Sequence, residues 1–517
     1  MTLLQLWLVF FIAIQIVHFL GTWKLYVKAD RKAWEAAVPI YNAIVLMQII
    51  KRPKWWVILL FIPIINLLMF PIIWIETIRS FGKNSKLDSA LVILSCGLYI
   101  FYVSYVDEVK YKKERSLNPQ SNLGEWISSI AFAIIAATLV HTYFMRPYTI
   151  PTSSLEKSLL VGDYLFVSKF HYGARVPMTP VALPMVHDSI PLVGTGSYSK
   201  KIQLPYMRLP GLQKIKNNEI VVFNWPADSL KWMWNDRSGK FTYKPIDKKT
   251  NYVKRCIAIA GDSLQIINGD IYINGKLSIM PDRAKPQFFH DVILNPGQKI
   301  SSRSLKERYG VREGFATADG NFNLNITDKE ANLLRKNPSV KSVTKKIQPS
   351  GKFDNRVFPH DEQYPWSQDN FGPLYIPKKG ETVVLDHQSL PFYRNLIKNY
   401  EHNDNVTFNG DDVYINGKKV TNYTFKQDYY WMMGDNRQSS LDARFWGFTP
   451  FDHVVGKPVF IWFSWETNEQ GIKNKIRWDR LFTTVHGEGK PRSYFYYFLG
   501  ALALWLIYSN FIKKKKA

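Results

Sequence analysis

The sequence predicts a mostly β external domain, divided by an inserted subdomain and anchored by transmembrane α-helices at both ends. Apolar runs of about 20 residues, the length that crosses a bilayer as a helix, stand near both ends of the 517-residue chain. Between them, runs of β-branched and aromatic residues are separated by Asn-Gly and Gly-Asp pairs, a pattern typical of strands joined by tight turns. A stretch richer in Pro, Lys and Asn, at about 278–380, interrupts these runs and predicts the insertion.

Five segments are candidate membrane spans, because each is apolar over nearly the length of a crossing. The first has no basic start and is followed by further apolar segments, so we interpret it as an anchor and not as a cleavable signal peptide. The five segments are 3–22, 55–75, 89–106, 125–145 and 493–512.

A short sequence repeat occurs near the second of these segments, with "PIYN" at 39–42 and "PIIN" at 63–66. Pro and Asn inside apolar runs indicate kinks or half-spanning hairpins, which need partners for the freed backbone groups. We favour a structural kink over a separate binding module, so we do not expect 55–75 to cross the membrane fully.

The positive charges that flank the spans predict their orientation. The chain ends in four lysines at 513–516, which places the end of the last span in the cytoplasm and the large block 146–492 outside. The basic loops 107–124 and 23–54 then lie inside, and the N-terminus lies outside. The loop 76–88 is also outside in this topology, although it carries three basic residues.

Together these features predict an order of domains along the chain. They are an N-terminal multi-span membrane domain (1–106), a cytoplasmic loop (107–124), an anchoring helix (125–145), the first part of the β-rich core (146–277), an inserted subdomain (278–404), the second part of the core (405–492), a C-terminal transmembrane helix (493–512) and a basic cytoplasmic tail (513–517). A second sequence repeat, "NGDIYINGK" at 268–276 and "NGDDVYINGKK" at 409–419, predicts a pair of hairpins that cap a sheet.

The composition narrows the classes of partner. The formal net charge of +25, from 67 Lys and Arg against 42 Asp and Glu, suits nucleic acid or an anionic membrane surface, or simply reflects topology and a basic soluble face. No nucleic-acid motif occurs, so we favour the membrane and expect no nucleic-acid partner. Two cysteines, Cys96 and Cys256, cannot build a disulfide framework, and no Cys/His metal spacing occurs. We therefore predict neither metal nor cofactor.

A cluster of hydroxyl groups directly follows the span 125–145. The segment "YTIPTSSLEKSLLVGDYLF" (148–166) carries Thr149, Thr152, Ser153 and Ser154 between apolar residues. It is either an ordinary polar collar or a place where one oxygen does chemistry at the membrane surface. The GxSxG, HExxH, P-loop and GxGxxG motifs are all missing from the sequence. Without a well-placed His, a serine needs another base, and a lysine serves once burial lowers its pKa.

One candidate base lies in "NYVKRCIAIAGD" (251–262), where Lys254 and Arg255 stand in an apolar strand pattern. Because side chains alternate along a strand, one of the two is expected to face inward, although a surface position for Lys254 is the simpler interpretation from spacing alone. A third polar segment, "MMGDNRQSSLDARFWG" (432–447), is either a solvated loop or a network of paired charges that shapes a site.

In combination these segments resemble the conserved boxes of bacterial type I signal peptidases, the membrane-bound serine proteases that remove signal peptides from exported proteins. "IPTSSLEKSLLVGDYLFVSKF" resembles the nucleophile segment P-S-x-S-M-x-P-T-L with its following L-x-G-D, and "EIVVF" (219–223) resembles a strand box. "YVKRCIAIAGD" is similar to the lysine box K-R-x-x-G-x-P-G-D, and "GDNRQSSLDARFWG" (434–447) to the last box, G-D-N-R-x-x-S-x-D-S-R-x-W-G. The resemblance covers roughly 125–275 and 405–480. The departures from the pattern are Leu155, Lys157, Ser158 and Ala260.

The resemblance implies a signal-peptidase-like β-fold for the exported catalytic domain, and a role for each matching residue. Ser154 would be the nucleophile and neutral Lys254 the general base, with an oxyanion hole made by the N–H of Ser154 and the hydroxyl of Thr152. Ser440 would hydrogen-bond Lys254 and orient it. Structural support would come from Arg255, Asp435, Asp442 and Arg444, and an apolar substrate pocket from Tyr148, Ile150, Leu155, Leu159, Leu165, Tyr252 and Val253.

The resemblance also implies an activity, partners and a location. The activity would be removal of N-terminal signal peptides at the outer face of the cytoplasmic (inner) membrane, with a multi-pass anchor and a cytoplasmic C-terminus. The partners would be preprotein signal peptides and membrane lipid, with the secretion translocon as a further candidate. Three alternatives are a scaffold on a degenerate peptidase fold, a Ser/Lys protease that cleaves itself, and a transporter. The presence of both Ser154 and Lys254 disfavours the first, the anchors at both ends the second, and the small number of spans the third.

Overall fold

The computed structural model describes residues 3–118, 121–190, 193, 195–229, 241–467, 469 and 471–512, so the predicted tail 513–517 lies outside the described residues. The chain divides into two compact units. One comprises Met1–Thr142 and Thr179–Leu204, and the other Tyr143–Met178 and Pro205–Ala517.

The first unit is helical in its N-terminal part. Its helices are α1 (Leu3–Lys28), α2 (Tyr41–Ile49), α3 (Trp56–Leu59), α4 (Ile65–Ser80), α5 (Lys86–Leu94), α6 (Tyr99–Tyr105) and α7 (Asn122–Leu139). Within the described residues, two helices are long and apolar enough to cross a membrane, Leu8–Lys28 and Asn122–Phe144. A third crossing is possible only if α5 and α6, which are bent by 119° at their junction, form one broken span.

Three of the five candidate spans are therefore not single long helices. The segment 55–75 divides into α3 and α4, 89–106 contains the bent junction of α5 and α6, and 493–512 contains a shorter apolar helix, Phe495–Asn510. Hydropathy measures only how apolar a segment is, whereas a straight span also needs an uninterrupted backbone ladder. The kink expected at 63–66 is confirmed, because the chain turns there before α4 begins.

The two copies of the Pro-Ile-x-Asn repeat have the same backbone conformation, and each lies at the start of a helix. Ile40 (φ 68°, ψ −49°) immediately precedes α2, and Ile64 (φ 71°, ψ −44°) immediately precedes α4. In the first copy the N–H of Tyr41 donates to the carbonyl of Pro39 at 2.8 Å, which is the hydrogen bond of a γ-turn. The repeat thus marks two tight turns of the same backbone conformation, each next to an apolar run.

The second unit is mostly β, as the sequence predicts. Its strands are β1 (Met145–Thr149), β2 (Asp163–Ser168), β3 (Ile220–Asn224), β4 (Asn251–Ala258), β5 (Ser263–Ile267), β6 (Asp270–Ile273), β7 (Lys276–Leu277), β8 (Phe288–Leu294), β9 (Glu313–Ala316), β10 (Phe322–Ile326), β11 (Val340–Lys345), β12 (Phe371–Tyr375), β13 (Thr382–Val384), β14 (Val406–Asn409), β15 (Asp412–Ile415), β16 (Lys418–Val420), β17 (Asn422–Thr424), β18 (Tyr429–Met433), β19 (Thr449–Pro450), β20 (Val454–Ser464) and β21 (Thr483–Thr484). Its helices are α8 (Ser302–Tyr309), α9 (Asp328–Arg335), α10 (Leu390–Asn395), α11 (Ala443–Trp446), α12 (Ile472–Lys475) and α13 (Phe495–Ile507).

One antiparallel sheet organises the candidate site. Its strand order is β1-β2-β20-β3-β4-β18-β19, with β21 beside β20. Apolar clusters form on both faces, because successive side chains of a strand point to opposite sides. On β3, Val222 joins one cluster with Leu155 and Val253, while Phe223 joins another with Cys256 and Trp446.

The repeated Asn-Gly segments form the predicted hairpins. β5, β6 and β7 make one three-stranded meander, and β14, β15 and β16 make the other. The turn residues Asn268 and Gly269 have φ values of 50° and 86°, and Asn416 and Gly417 have 51° and 77°. Two successive positive φ angles are the mark of a type I′ turn, which explains the Asn-Gly pairs.

The interval 278–404 holds two kinds of structure. Residues 288–345 form a β-α-β-β-α-β unit, from β8 through α8, β9, β10 and α9 to β11, with an antiparallel sheet of order β11-β8-β10-β9. This is the arrangement called ferredoxin-like. Most of the later part packs elsewhere, since Phe358, Phe371 and Tyr393 share a core cluster with Leu264 and Trp431. We refer below to residues 288–345 as the βαββαβ unit.

Candidate active site

Ser154 lies in a short 3-10 turn, Ser153–Leu155, on the connection between β1 and β2. Two hydrogen bonds close the base of this connection, from the N–H of Ile150 to the carbonyl of Asp163 and from the N–H of Gly162 to the carbonyl of Ile150, both at 2.9 Å. Leu155 anchors the turn in the apolar cluster beneath it. The turn therefore holds Ser154 in a buried position, with 8% of the residue exposed.

Lys254 lies on β4, where its backbone pairs with Val221 of β3. Its Nζ donates a hydrogen bond to Ser154 Oγ at 2.5 Å, and the residue is 4% exposed. The structure thus brings together two residues that are 100 positions apart. Burial lowers the pKa of Lys254 to about 8, because a charged ammonium is unfavourable where water is excluded.

One side of the lysine side chain faces an aromatic cluster. The Tyr252 ring centroid lies 5.5 Å from Lys254 Nζ. Tyr252 in turn stacks on Trp225 at 5.2 Å and meets Trp446 edge-on at 5.5 Å. This packing contributes to the burial that lowers the pKa of Lys254.

Arg255 is also buried, so both residues of the pair face inward, one on each face of β4, where the sequence predicted this for one of them. Arg255 binds Asp435 through two hydrogen bonds, from Nε to Oδ1 at 2.8 Å and from Nη2 to Oδ2 at 2.5 Å. Burial alone would raise the pKa of the Asp435 carboxyl, but the guanidinium reverses that effect and holds the pKa below its usual range. Both faces of β4 can thus bury a basic residue, because each finds a partner.

Asp442 and Arg444 form a second buried pair in the last box. Arg444 donates to Asp442 from Nε at 2.9 Å and from Nη2 at 2.8 Å. The N–H of Gly434 also donates to Asp442 Oδ2, at 3.0 Å. Burial opposes ionisation of Asp442, yet Arg444 keeps the pKa of its carboxyl below the ordinary value. The pair joins the two ends of the segment 434–444.

Ser440 does not make the predicted hydrogen bond to Lys254. Its Oγ is buried and has no hydrogen-bond partner among the described residues. A Cβ added to Gly434 would lie 2.2 Å from Ser440 Oγ and 2.5 Å from the carbonyl oxygen of Ser154. The close packing explains the glycine of this box, and it places Ser440 next to the glycine and near the nucleophile backbone.

The remaining candidates divide between two places. Tyr148, Ile150, Leu155, Leu159, Leu165 and Val253 belong to one apolar cluster. Tyr252 does not join them, because it points to the opposite face of β4 and packs with Trp225 and Trp446. Thr152 is exposed at the start of the 3-10 turn.

Sequence reasoning missed two residues that support the nucleophile. Asn436 donates from its N–H to the carbonyl of Ser154 and from Nδ2 to the carbonyl of Ser153, both at 3.1 Å. Ser158 donates from Oγ to Asp435 Oδ2 at 2.6 Å. Asn436 stands inside the G-D-N-R box, so its position was visible. Its partner was not, because the contact spans more than 280 residues.

Comparison with known proteins places these segments in one family. Residues 123–309 and 421–465 match the family described as signal peptidase, peptidase S26. The first of these segments contains Ser154 and Lys254, and the second contains the last box. Residues 34–114 match a family of unknown function, DUF5684.

Curated relatives from several bacteria agree with this match. Signal peptidase I of Buchnera aphidicola subsp. Acyrthosiphon pisum is 23% identical over 388 residues, covering 74% of this chain and 89% of the relative. Signal peptidase I of Haemophilus influenzae is 22% identical, and the match covers 72% of this chain and 79% of the relative. Signal peptidase I of Rickettsia rickettsii is 25% identical, covering 70% and 92%. The matched segments and these relatives show that the chain is similar to signal peptidases of the peptidase S26 family.

Proposed function

We propose that this chain is a membrane-anchored serine endopeptidase that removes N-terminal signal peptides from exported preproteins, with Ser154 and Lys254 as its catalytic dyad. The observation that carries the proposal is the 2.5 Å hydrogen bond between Lys254 Nζ and Ser154 Oγ. The lowered pKa of the buried lysine supports it, and so do the three relatives described above, each of which is named signal peptidase I.

The reaction would proceed as an acyl transfer through the serine. Neutral Lys254 accepts the proton of Ser154 Oγ as that oxygen attacks the scissile carbonyl, and it later passes the proton to the leaving amine. The N–H of Ser154 and the hydroxyl of Thr152 hold the oxyanion that develops. Asn436 helps to keep the nucleophile turn in place through its bonds to the backbone of Ser153 and Ser154.

The membrane topology of the proposal follows from charge and chain order. In it, the core segments 146–277 and 405–492 lie on the periplasmic or extracytoplasmic side and the C-terminus lies in the cytoplasm, in keeping with positive flanks on the inner side. The apolar helix Asn122–Phe144 leads directly into β1, which keeps Ser154 close in sequence to the bilayer. Signal peptides and lipid are therefore the proposed partners, and the secretion translocon is a further one.

Cleavage of a model preprotein tests the proposed function. We expect the purified full chain, in detergent micelles, to release the signal peptide at one junction, identified by the mass of the mature product. The matched control is the same preprotein with bulky residues at positions −1 and −3 of that junction, which we expect to resist cleavage because a pocket lined by closely packed apolar side chains admits only small residues. Cleavage of both substrates at equal rates, or of neither, would contradict the proposal.

The rate of cleavage is expected to rise with pH through about 8. Burial lowers the pKa of Lys254 to about 8, and only the neutral amine accepts a proton, so the enzyme gains activity as Lys254 loses its proton. Below that pKa, kcat/KM should increase about tenfold per pH unit and then level off. The measurement is the pH profile of kcat/KM on the model preprotein.

Lys249 provides the control for this profile. Burial also lowers the pKa of Lys249 to about 8, but its Nζ donates to the carbonyl of Pro226 at 2.6 Å. The profile should therefore keep its midpoint in Lys249→Met. A midpoint near the ordinary lysine value of about 10.4 in the wild type, or one that disappears in Lys249→Met, would show that Lys254 is not the titrating base.

A further inference from the structure

The βαββαβ unit contacts the last box through the face of its sheet that its helices leave open. Leu324 and Ile326 of β10 pack in the same apolar cluster as Leu334 of α9. Asn325, between them, must point to the opposite face, because side chains alternate along a strand. Its cross-strand neighbour on β9 is Glu313. These two polar side chains lie at the edge where the unit meets the segment 436–439.

Glu313 connects three side chains through one carboxylate. Its Oε1 accepts a hydrogen bond from Ser439 Oγ at 2.6 Å. Its Oε2 accepts from Asn436 Nδ2 at 2.9 Å and from Asn325 Nδ2 at 2.8 Å. An ionised carboxylate only accepts hydrogen bonds. The side-chain amides of Asn436 and Asn325 must therefore turn their NH2 groups, and not their oxygens, toward Glu313.

Asn436 transmits this constraint to the nucleophile turn. It is fully buried, and its Oδ1 accepts from Asn325 Nδ2 at 2.6 Å. Its Nδ2 donates to Glu313 and also to the carbonyl of Ser153, and its N–H donates to the carbonyl of Ser154. The side-chain amide can satisfy all these partners in one orientation only, and Glu313 stabilises that orientation together with Asn325 and the Ser153 carbonyl.

A second contact holds the turn from the same unit. Lys157, three residues after the nucleophile, forms an ion pair with Glu330 of α9. Glu330 is itself fixed, because its carboxylate accepts the N–H of Thr327 at 2.9 Å in the capping box of that helix. The βαββαβ unit thus contacts the nucleophile segment directly at Lys157 and indirectly through Asn436.

We propose that Glu313 is a positioning residue for the reaction, acting through Asn436 on the orientation of Ser154. This inference rests on the proposed function, and it assigns a role in catalysis to the βαββαβ unit. Glu313 contacts neither Ser154 nor Lys254 in the proposed mechanism. Its removal should therefore misplace the nucleophile without changing the base or the peptide-binding pocket.

The test compares the kinetics of Glu313→Ala, Glu313→Gln and wild type on the model preprotein, with active sites counted by titration with a serine-directed acylating probe. We expect Glu313→Ala to lower kcat about 10- to 100-fold, because a misplacement of about 1 Å at a reacting group can cost about 100-fold. KM and the midpoint of the pH profile should stay unchanged. Glu313→Gln should recover most of the rate, because its amide keeps one acceptor oxygen for the two asparagines and can donate to Ser439.

Two further variants make the test specific to Asn436 and to this position. If Glu313 acts through Asn436, the double variant Glu313→Ala/Asn436→Ala should be no slower than Asn436→Ala alone, since coupled residues are not additive. Glu307→Ala removes another glutamate of the unit, one that pairs with Arg303 on the exposed surface of α8, and should match wild type.

Different outcomes separate the two levels of inference. A kcat of Glu313→Ala equal to wild type per titrated site, or independent multiplicative losses in the double variant, would overturn the role of Glu313. Ser154→Ala is run in the same assay. If Ser154→Ala still cleaves the preprotein, the proposed function itself fails, whatever Glu313→Ala does.

Discussion

Replacing Lys254 by methionine is expected to lower the rate of preprotein cleavage at least about 1,000-fold, and Ser154→Ala to lower it as much, since members of a catalytic unit fail together. Methionine nearly keeps the length and volume of the lysine side chain, so the packing around Tyr252 should survive. What is lost is the amine whose Nζ lies 2.5 Å from Ser154 Oγ. The measurement is single-turnover cleavage, which reports the chemical step without product release.

Lys249→Met is the matched control for this experiment. Lys249 is a second buried lysine of the same unit, with its pKa lowered to about 8 by burial. Its loss should reduce stability but leave the rate per titrated active site near that of wild type. If Lys254→Met cleaved at the wild-type rate, Lys254 would not be the base. If Ser154→Ala did so, the nucleophile would lie elsewhere.

Replacing Arg255 by methionine is expected to lower the free energy of unfolding by about 3–5 kcal/mol, because breaking a buried ion pair leaves an uncompensated charge inside the protein. The Asp435 side chain is fully shielded from solvent, and Arg255 is nearly so. In the variant, Asp435 would have to stay buried without the guanidinium that now binds both of its oxygens. Denaturant unfolding of the purified chain in detergent, followed by tryptophan fluorescence, measures the change.

Two comparisons identify the ion pair as the cause. The double variant Arg255→Met/Asp435→Leu should regain much of the lost stability, because neither charge then remains buried alone. Arg303→Met breaks the exposed pair with Glu307, whose side chains are 83% and 62% exposed, and should cost less than about 1 kcal/mol. Equal losses in Arg255→Met and Arg303→Met would contradict the predicted effect of burial.

Local patterns predicted many of the β elements. The Asn-Gly pairs in both copies of the second sequence repeat predicted two hairpins, since only residues that tolerate positive φ fit a type I′ turn. Hydropathy was less informative for the spans. It cannot register that the backbone turns at Ile64 or that α5 and α6 meet at 119°.

Box order in the sequence led to the candidate site, but not to its details. The resemblance of the boxes implied Ser154 and Lys254 as the dyad and Arg255, Asp435, Asp442 and Arg444 as structural support, and the structure shows which of these four charges pair. Ser440 was assigned a hydrogen bond that the structure does not contain. A box preserves which residues are near one another, whereas a hydrogen bond depends on a side-chain rotamer that packing selects.

The sequence by itself determined the strand-rich core, its turns and the residues from which a serine–lysine dyad could be built, because these follow from neighbours a few positions apart. Only the tertiary structure decided which charges are buried and which groups hold the nucleophile turn. Arg255 faces inward because Asp435 meets it from 180 residues away. Asn436 is fixed because Glu313 reaches it from 123 residues away. The physical reason is that a buried polar group is stable only with a partner, and no local pattern reveals a partner that distant.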